Sequence, residues 1–375
     1  MKVWIVADVS REIPGGMLRH MESHADGLRR LGHAAQVFCS EDFGAAWSGQ
    51  IGRRLSGLHS IKGLVGKFRA ESPDLVNVHT LIAPAWIAAQ QLGLLGKAKI
   101  VVMSYGADER VAPRRSGLRH VVQLVDLTVP ARFTLPRATG IWCVNNEDRA
   151  FVLQRYGLSD RRVALIPHAC DELFYEPPRG EASRAARQLL FVGTWIPRKG
   201  TAILGAALPR LISRRPDLRI TLAGTIVDEQ TVRTSFPEAA QAALTVRPRV
   251  SPLELRELYR TSTMLLVPSE VEGLPIVLLE AMASSCPSLS AANSGMADVI
   301  VEGENGWLLS TREPDRWAAR VESLLDDEPA LRRAGEGARL TAARFRIDRV
   351  TAEAVAWYEF LLGAHRERRT TGRYS

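Results

Sequence analysis

Short apolar runs alternate with amphipathic stretches along almost the whole chain, and this alternation restricts the fold more than any other feature. Runs at 3–7, 36–39, 75–78, 100–103, 141–144 and 163–166 read as strands. Between the first two, Met17, Met21, Leu28 and Leu31 recur at helical spacing. The pattern restarts with strand runs at 189–192, 219–223, 244–246 and 264–267. Helices are expected over 201–213, with Ile203, Ala207 and Leu211 on one face, and over 253–259. Such alternation argues for parallel sheets with crossover helices. Glu176-Pro177-Pro178-Arg179-Gly180-Glu181 separates the two series and has the composition of a linker. The fold class is therefore α/β, with two Rossmann-like doubly wound domains over 1–176 and 177–349. A last amphipathic stretch, about 350–364, carries Val350, Ala354, Trp357, Tyr358 and Leu361. It is expected to pack back on the first domain, ahead of a basic tail over 365–375. Doubly wound sheets take ligands at the carboxyl ends of their strands. Two such domains facing each other would place the active site in a cleft.

The 375 residues suffice for two ordinary domains, and 46% hydrophobic with 24% charged residues excludes a disordered chain. No apolar run reaches the ~18–20 residues of a membrane span. The segment 1–8 is too short in its apolar part for a signal peptide, so a cytoplasmic protein is expected. Cys39, Cys143, Cys170 and Cys286 lie far apart with no CxxC, which favours buried thiols over a disulfide framework or a zinc site. The net charge of +8 favours anionic small molecules, a lipid surface or nucleic acid over cationic substrates. Nucleic acid is disfavoured, because the charge is dispersed and no aromatic-studded basic motif occurs. Arg110, Arg114, Arg115, Arg119, His120, Arg132 and Arg137 interleave with apolar residues. They read as a solvated helix face or as a surface for an anionic acceptor or lipid headgroups.

The most informative segment is Ser269-Glu270-Val271-Glu272-Gly273-Leu274-Pro275-Ile276-Val277-Leu278-Leu279-Glu280, which follows a strand and opens a helix. Pro275 suits the first helical turn, leaving the amides of Ile276 and Val277 to bind an anion. Glu280, a turn further on, can accept two hydrogen bonds from a vicinal diol such as a ribose. Glu272, just before the helix, would reach what lies beyond the phosphate. A second segment, Val192-Gly193-Thr194-Trp195-Ile196-Pro197-Arg198-Lys199-Gly200, ends a strand at a glycine and delivers two cations suited to a pyrophosphate. It is not a Walker A loop, since no Ser or Thr directly follows Lys199. Gly15 and Gly16 follow the first strand without G-x-G-x-x-G spacing, which disfavours an NAD site.

The 272–280 segment resembles the E-G-F-G-x-x-x-x-E signature of retaining glycosyltransferases of family 4, which have the two-domain GT-B fold. Glu272 and Glu280 stand at its two glutamates, and Pro275 replaces the usual Gly. The resemblance implies that Lys199 holds the nucleotide diphosphate. The family's Arg position holds Thr194, so Arg198 substitutes from the other side of the loop. Gly193, Gly273, Leu274, Ile276, Val277 and Glu280, with Gly15 and Gly16, would bind the donor. Met103-Ser104-Tyr105-Gly106-Ala107-Asp108 matches the family's His-Gly-x-Asp with Tyr105 in place of His. Tyr105 joins Glu272, Lys199 and Arg198 as a catalytic candidate, while His79, Asp108 and Arg19 are acceptor-side candidates. The stretches 166–174 and 293–308 support the same alignment.

The resemblance implies a retaining, hexosyltransferase-type enzyme acting in bacterial-type polysaccharide, glycolipid or glycoside synthesis. The donor is a nucleotide sugar, with UDP favoured over GDP, and the acceptor a hydroxyl compound, anionic or lipid-linked. No cofactor is expected, and no metal, since the chain lacks D-x-D. A peripheral site at the inner face of a membrane fits such an acceptor. The alternatives are a sugar-nucleotide-binding protein with little transferase activity and a GT-B-shaped epimerase. A phosphorylase would need a pyridoxal-bearing lysine, and none suggests itself among six.

Overall fold

The computed structural model describes residues 1–12, 15–43, 50–79, 82–104, 128–176, 187–310 and 312–363, with the backbone alone at 50–55. Their strands form two six-stranded sheets in which every pairing is parallel. The first contains β1 (Lys2–Val6), β2 (Ala34–Phe38), β3 (Leu75–His79), β4 (Lys99–Ser104), β5 (Gly140–Cys143) and β6 (Val163–Leu165), in the order β2-β1-β3-β4-β5-β6. The second contains β7 (Gln188–Val192), β8 (Arg219–Ala223), β9 (Leu244–Arg247), β10 (Met264–Val267), β11 (Ser288–Ala291) and β12 (Trp307–Leu309), in the order β12-β11-β10-β7-β8-β9. Strand order reverses between β1 and β3 in the first sheet and between β7 and β10 in the second. Those reversals are where doubly wound sheets open a crevice for ligands.

Helices of the first unit are α1 (Gly16–Arg30), α2 (Gln50–Glu71), α3 (Ala83–Gln91), α4 (Val129–Thr134) and α5 (Asn146–Tyr156). The second unit carries α6 (Thr201–Arg214), α7 (Glu229–Arg233), α8 (Glu238–Gln241), α9 (Pro252–Thr261), α10 (Ile276–Ala283), α11 (Ser294–Val299), α12 (Pro314–Leu325) and α13 (Glu328–Ala342). The last helix, α14 (Ile347–Leu362), returns to the first unit and packs against α1. Gly27 of α1 makes room for it, since a Cβ there would lie 2.0 Å from Thr351 Oγ1. The apolar side chains that α1 buries are Leu18, Met21, Ala25 and Leu28, beside His20, His24 and Gly27. This buried face is rotated from the one read in sequence: Met17 is half-buried, and Leu31, beyond the helix end, is 42% exposed.

The second unit runs from Cys170 to Arg346, and Met1–Ala169 belongs to the first. The boundary therefore precedes the expected 176/177, and α14 starts before residue 350. The reason is local. Cys170 N donates to Phe345 O at 2.8 Å, and Phe174 packs its ring against Tyr259, so the chain has already joined the second unit there. The linker residues 177–181, the tail 365–375 and most of the basic stretch lie outside the described residues. Of that stretch, Arg137 donates to Phe133 O at 3.1 Å, a helix-end role. All four cysteines are buried thiols. Among the described residues, no helix is long and apolar enough to cross a membrane.

Candidate functional site

The site of the second unit grows from the paired strands β7 and β10. Both are buried apolar runs, as strands covered on two faces must be. Each ends in a loop at the reversal of strand order. The β7 loop turns at Gly193 (φ +154°) and brings Lys199 back, so that its Cδ and Cε lie 3.8 Å from the Cβ position of Gly193. The β10 loop runs through Glu272 to Pro275, which is the N-cap of α10 rather than its first-turn residue. No side chain caps that helix end, and Ile276 and Val277 are half-buried at its start.

The two loops are stitched together. Glu270 N donates to Arg198 O at 2.8 Å and Arg198 Nη1 donates to Val271 O at 2.9 Å. Gly200, at φ +77°, meets Pro268 so closely that a Cβ would lie 2.1 Å from its carbonyl oxygen. Lys199 Nζ then donates to Glu272 Oε1 at 2.5 Å, and Arg198 Nη1 stands 3.5 Å from Oε2. The Glu272 side chain is 9% exposed, that of Lys199 19% and that of Arg198 51%. A carboxylate so enclosed requires cations beside it. Glu280 sits one turn into α10 at 2% exposure, and Tyr259 of α9 donates its hydroxyl to Oε2 at 3.0 Å. Leu274 is buried and Thr194 half-buried.

Sequence reasoning thus assembled Gly193, Arg198, Lys199, Glu272, Gly273, Leu274, Ile276, Val277 and Glu280 around one pair of strand ends. It missed three contributors. Tyr259 holds Glu280. Asn293 Nδ2 donates to Ser269 O at 2.9 Å and to Glu270 O at 3.1 Å. Gly295 N donates to Gly273 O at 2.9 Å, where a Cβ would come within 2.1 Å of that oxygen. The stretch 293–298 was visible as an alignment match, but its support of the Glu272 loop needs the fold.

In the first unit, Gly15 is the extended N-cap of α1 and Gly16 its first residue, both exposed, with no side chain capping the helix. Arg19 is half-buried on the same helix. His79 ends β3 but does not open to solvent: at 3% exposure it belongs to a buried group with His20, His24 and His168. His20 Nδ1 and His168 Nδ1 are 3.0 Å apart, and His24 Nε2 lies 3.1 Å from Tyr358 Oη. Asn77 Nδ2 also donates to that hydroxyl, at 3.0 Å. Burial pushes His24, His79 and His168 down to about 3, the positive field of neighbouring imidazoles adding to it at His79. His20 is lowered as well, first by burial and then by His168, His24 and His79. Tyr105 and Asp108 lie outside the described residues. Among the described residues, no cluster of three or more His, Cys, Asp or Glu could hold a metal ion.

Two family profiles match the chain: Glycosyltransferase Family 4 over residues 14–172 and Glycosyl transferases group 1 over residues 178–341. The D-inositol 3-phosphate glycosyltransferase of Acidothermus cellulolyticus is 29% identical over 330 residues, 83% of this chain and 67% of that protein. Among solved structures, the sucrose-phosphate synthase of Thermosynechococcus elongatus superposes with a TM-score of 0.77 at 17% identity, covering 97% of this chain and 99% of that one. HepE of Anabaena, solved with UDP and glucose, gives 0.70 at 16% identity, covering 95% and 98%. At these identities the structures show the shared GT-B fold. The two profiles span both halves, and the chain belongs to the group 1, family 4 glycosyltransferases, enzymes that move a sugar from a nucleotide-sugar donor to an acceptor.

Proposed function

We propose that the enzyme transfers a hexose from a UDP-sugar to an acceptor hydroxyl with retention of the anomeric configuration and without a metal ion. The observation that carries this reading is the convergence of Lys199, Arg198 and the α10 N-terminus at the ends of β7 and β10. Side-chain cations and helix amides together suit a diphosphate that leaves with increasing negative charge. Glu280 takes the ribose hydroxyls. Glu272 faces the transferred sugar, whose anomeric carbon gains positive charge. The leaving phosphate takes the acceptor proton, so no protein base is required. HepE was solved with UDP and glucose, which supports uridine as the base. The surplus of eight positive charges supports an anionic or lipid-linked acceptor, and the matched relatives are named for an inositol phosphate. On this reading the work is done in the cytoplasm or at the inner face of a membrane.

Calorimetric titration with UDP and GDP, with and without EDTA, tests this reading. UDP should bind in both conditions. Lys199→Ala should weaken it by about 1.5–3 kcal/mol, the worth of a hydrogen bond between charged groups. Binding that needs a divalent ion would overturn the metal-free part, and unchanged affinity in the variant would remove Lys199 from the site.

A further inference from the structure

Glu280 is almost entirely enclosed, at 2% exposure, although the proposed reaction asks it to meet the donor's ribose. A buried carboxylate that must present its oxygens to a ligand needs its orientation fixed by its surroundings. One group that does so comes from another helix. Tyr259 of α9 is itself fully buried and donates its hydroxyl to Glu280 Oε2 at 3.0 Å. Its ring stands edge-on to Phe174, with centroids 5.9 Å apart.

The helix that carries Tyr259 is anchored at both ends. Ser251 and Glu254 form a reciprocal cap at its start, with Pro252 in the first turn. Arg260, next to Tyr259, donates to Glu176 O at 2.8 Å. The phenol is therefore built into a packed wall, and it holds one oxygen of Glu280 in a set plane. We propose that Tyr259 is the positioning residue for Glu280, orienting its carboxylate toward the ribose hydroxyls and making the enzyme select ribonucleotides over deoxyribonucleotides. This inference rests on the reading of Glu280 as the ribose partner. A bond of this kind acts equally on bound donor and transition state, so its loss should appear in KM and leave kcat.

The test titrates UDP, 2′-deoxy-UDP and 3′-deoxy-UDP into the full chain and into Tyr259→Phe, which keeps the ring and its contact with Phe174. Wild type should prefer UDP over the deoxy compounds by at least tenfold. In Tyr259→Phe, UDP should bind about tenfold more weakly, the deoxy compounds should bind as before, and the preference should disappear. Glu280→Gln should lose the same preference, and adding Tyr259→Phe to it should cost nothing more, because the two side chains act as one unit. Unchanged affinity for the deoxy compounds shows that Tyr259→Phe is folded. Equal weakening toward all three compounds, or a preference that survives in Tyr259→Phe, overturns the positioning role while leaving the ribose reading intact. A wild-type enzyme that does not distinguish UDP from its deoxy forms overturns both.

Discussion

On the proposed reading, Glu272 and the donor diphosphate compete for the same cation. Lys199 Nζ lies 2.5 Å from Glu272 Oε1, so without donor its charge is already answered. Replacing the carboxylate by the isosteric amide removes the competitor and, on the same reading, the negative charge that would face the reacting sugar. Glu272→Gln should therefore bind UDP more tightly, by up to about tenfold, while kcat falls by about 10²-fold, as when other preorganised electrostatic groups are lost. Misfolding would lower both quantities, so the opposite signs identify the role. Calorimetry and steady-state rates check it, and weaker UDP binding would show that the carboxylate supports the nucleotide instead. Lys199, Glu272 and Glu280 were legible in the sequence because each sits at a fixed offset from a strand end or helix start. Tyr259 was not. Its position in an amphipathic helix says that it is buried, and only the packing of α9 on α10 shows which group its hydroxyl meets.

Three loops, following β7, β10 and β11, make one tray, and glycines set how closely they approach. Gly295 lets the start of α11 reach Gly273, whose carbonyl accepts its amide hydrogen at 2.9 Å. A methyl group there would need to occupy space 2.1 Å from that oxygen, and backbone rather than a flexible side chain must give way. Gly295→Ala should cost about 1–3 kcal/mol, the usual range for overpacking. It should also weaken UDP binding, because the displaced residues are those that open α10. Urea unfolding and calorimetry measure the two effects, and full stability in the variant would mean the loops tolerate separation. At this scale the sequence was less informative. β11 reads Ser288-Leu289-Ser290-Ala291, and its serines are as buried as the apolar residues of other strands because Ser290 Oγ donates to Ser288 Oγ. β12 has only three residues. β11 lacks the apolar continuity by which other strands declare themselves, and β12, though apolar throughout, is too short to stand out. The alternation found ten of the strands, nine of them apolar over most of their length and β9 by its alternating Leu244 and Val246.

All eight histidines lie outside the second unit, Cys170–Arg346, and four of them share the interior of the first. His20 and His24 come from α1, His79 from β3 and His168 from the segment after β6, with Trp142 of β5 edge-on to the first two and Tyr358 of α14 against His24. Each imidazole is neutral when folded and ordinary when unfolded. The folded values lie below the unfolded value of about 6.5, so the unfolded chain binds more protons and stability falls as pH drops below that value. The loss continues toward the folded values near 3. Once the unfolded imidazoles are fully charged, each contributes a slope of about 1.4 kcal/mol per pH unit. Several together rival the ~5–15 kcal/mol that holds a domain folded. The first unit should therefore lose stability in acid before the second. Between pH 7 and 5, hydrogen exchange corrected for its intrinsic rate should lose protection in peptides of β1, β3 and α14, while β7 and β10 keep theirs. His168→Gln should reduce the pH slope of the first unit by about one proton. Equal loss in both units, or an unaltered slope in that variant, would mean that the buried imidazoles do not set the acid limit.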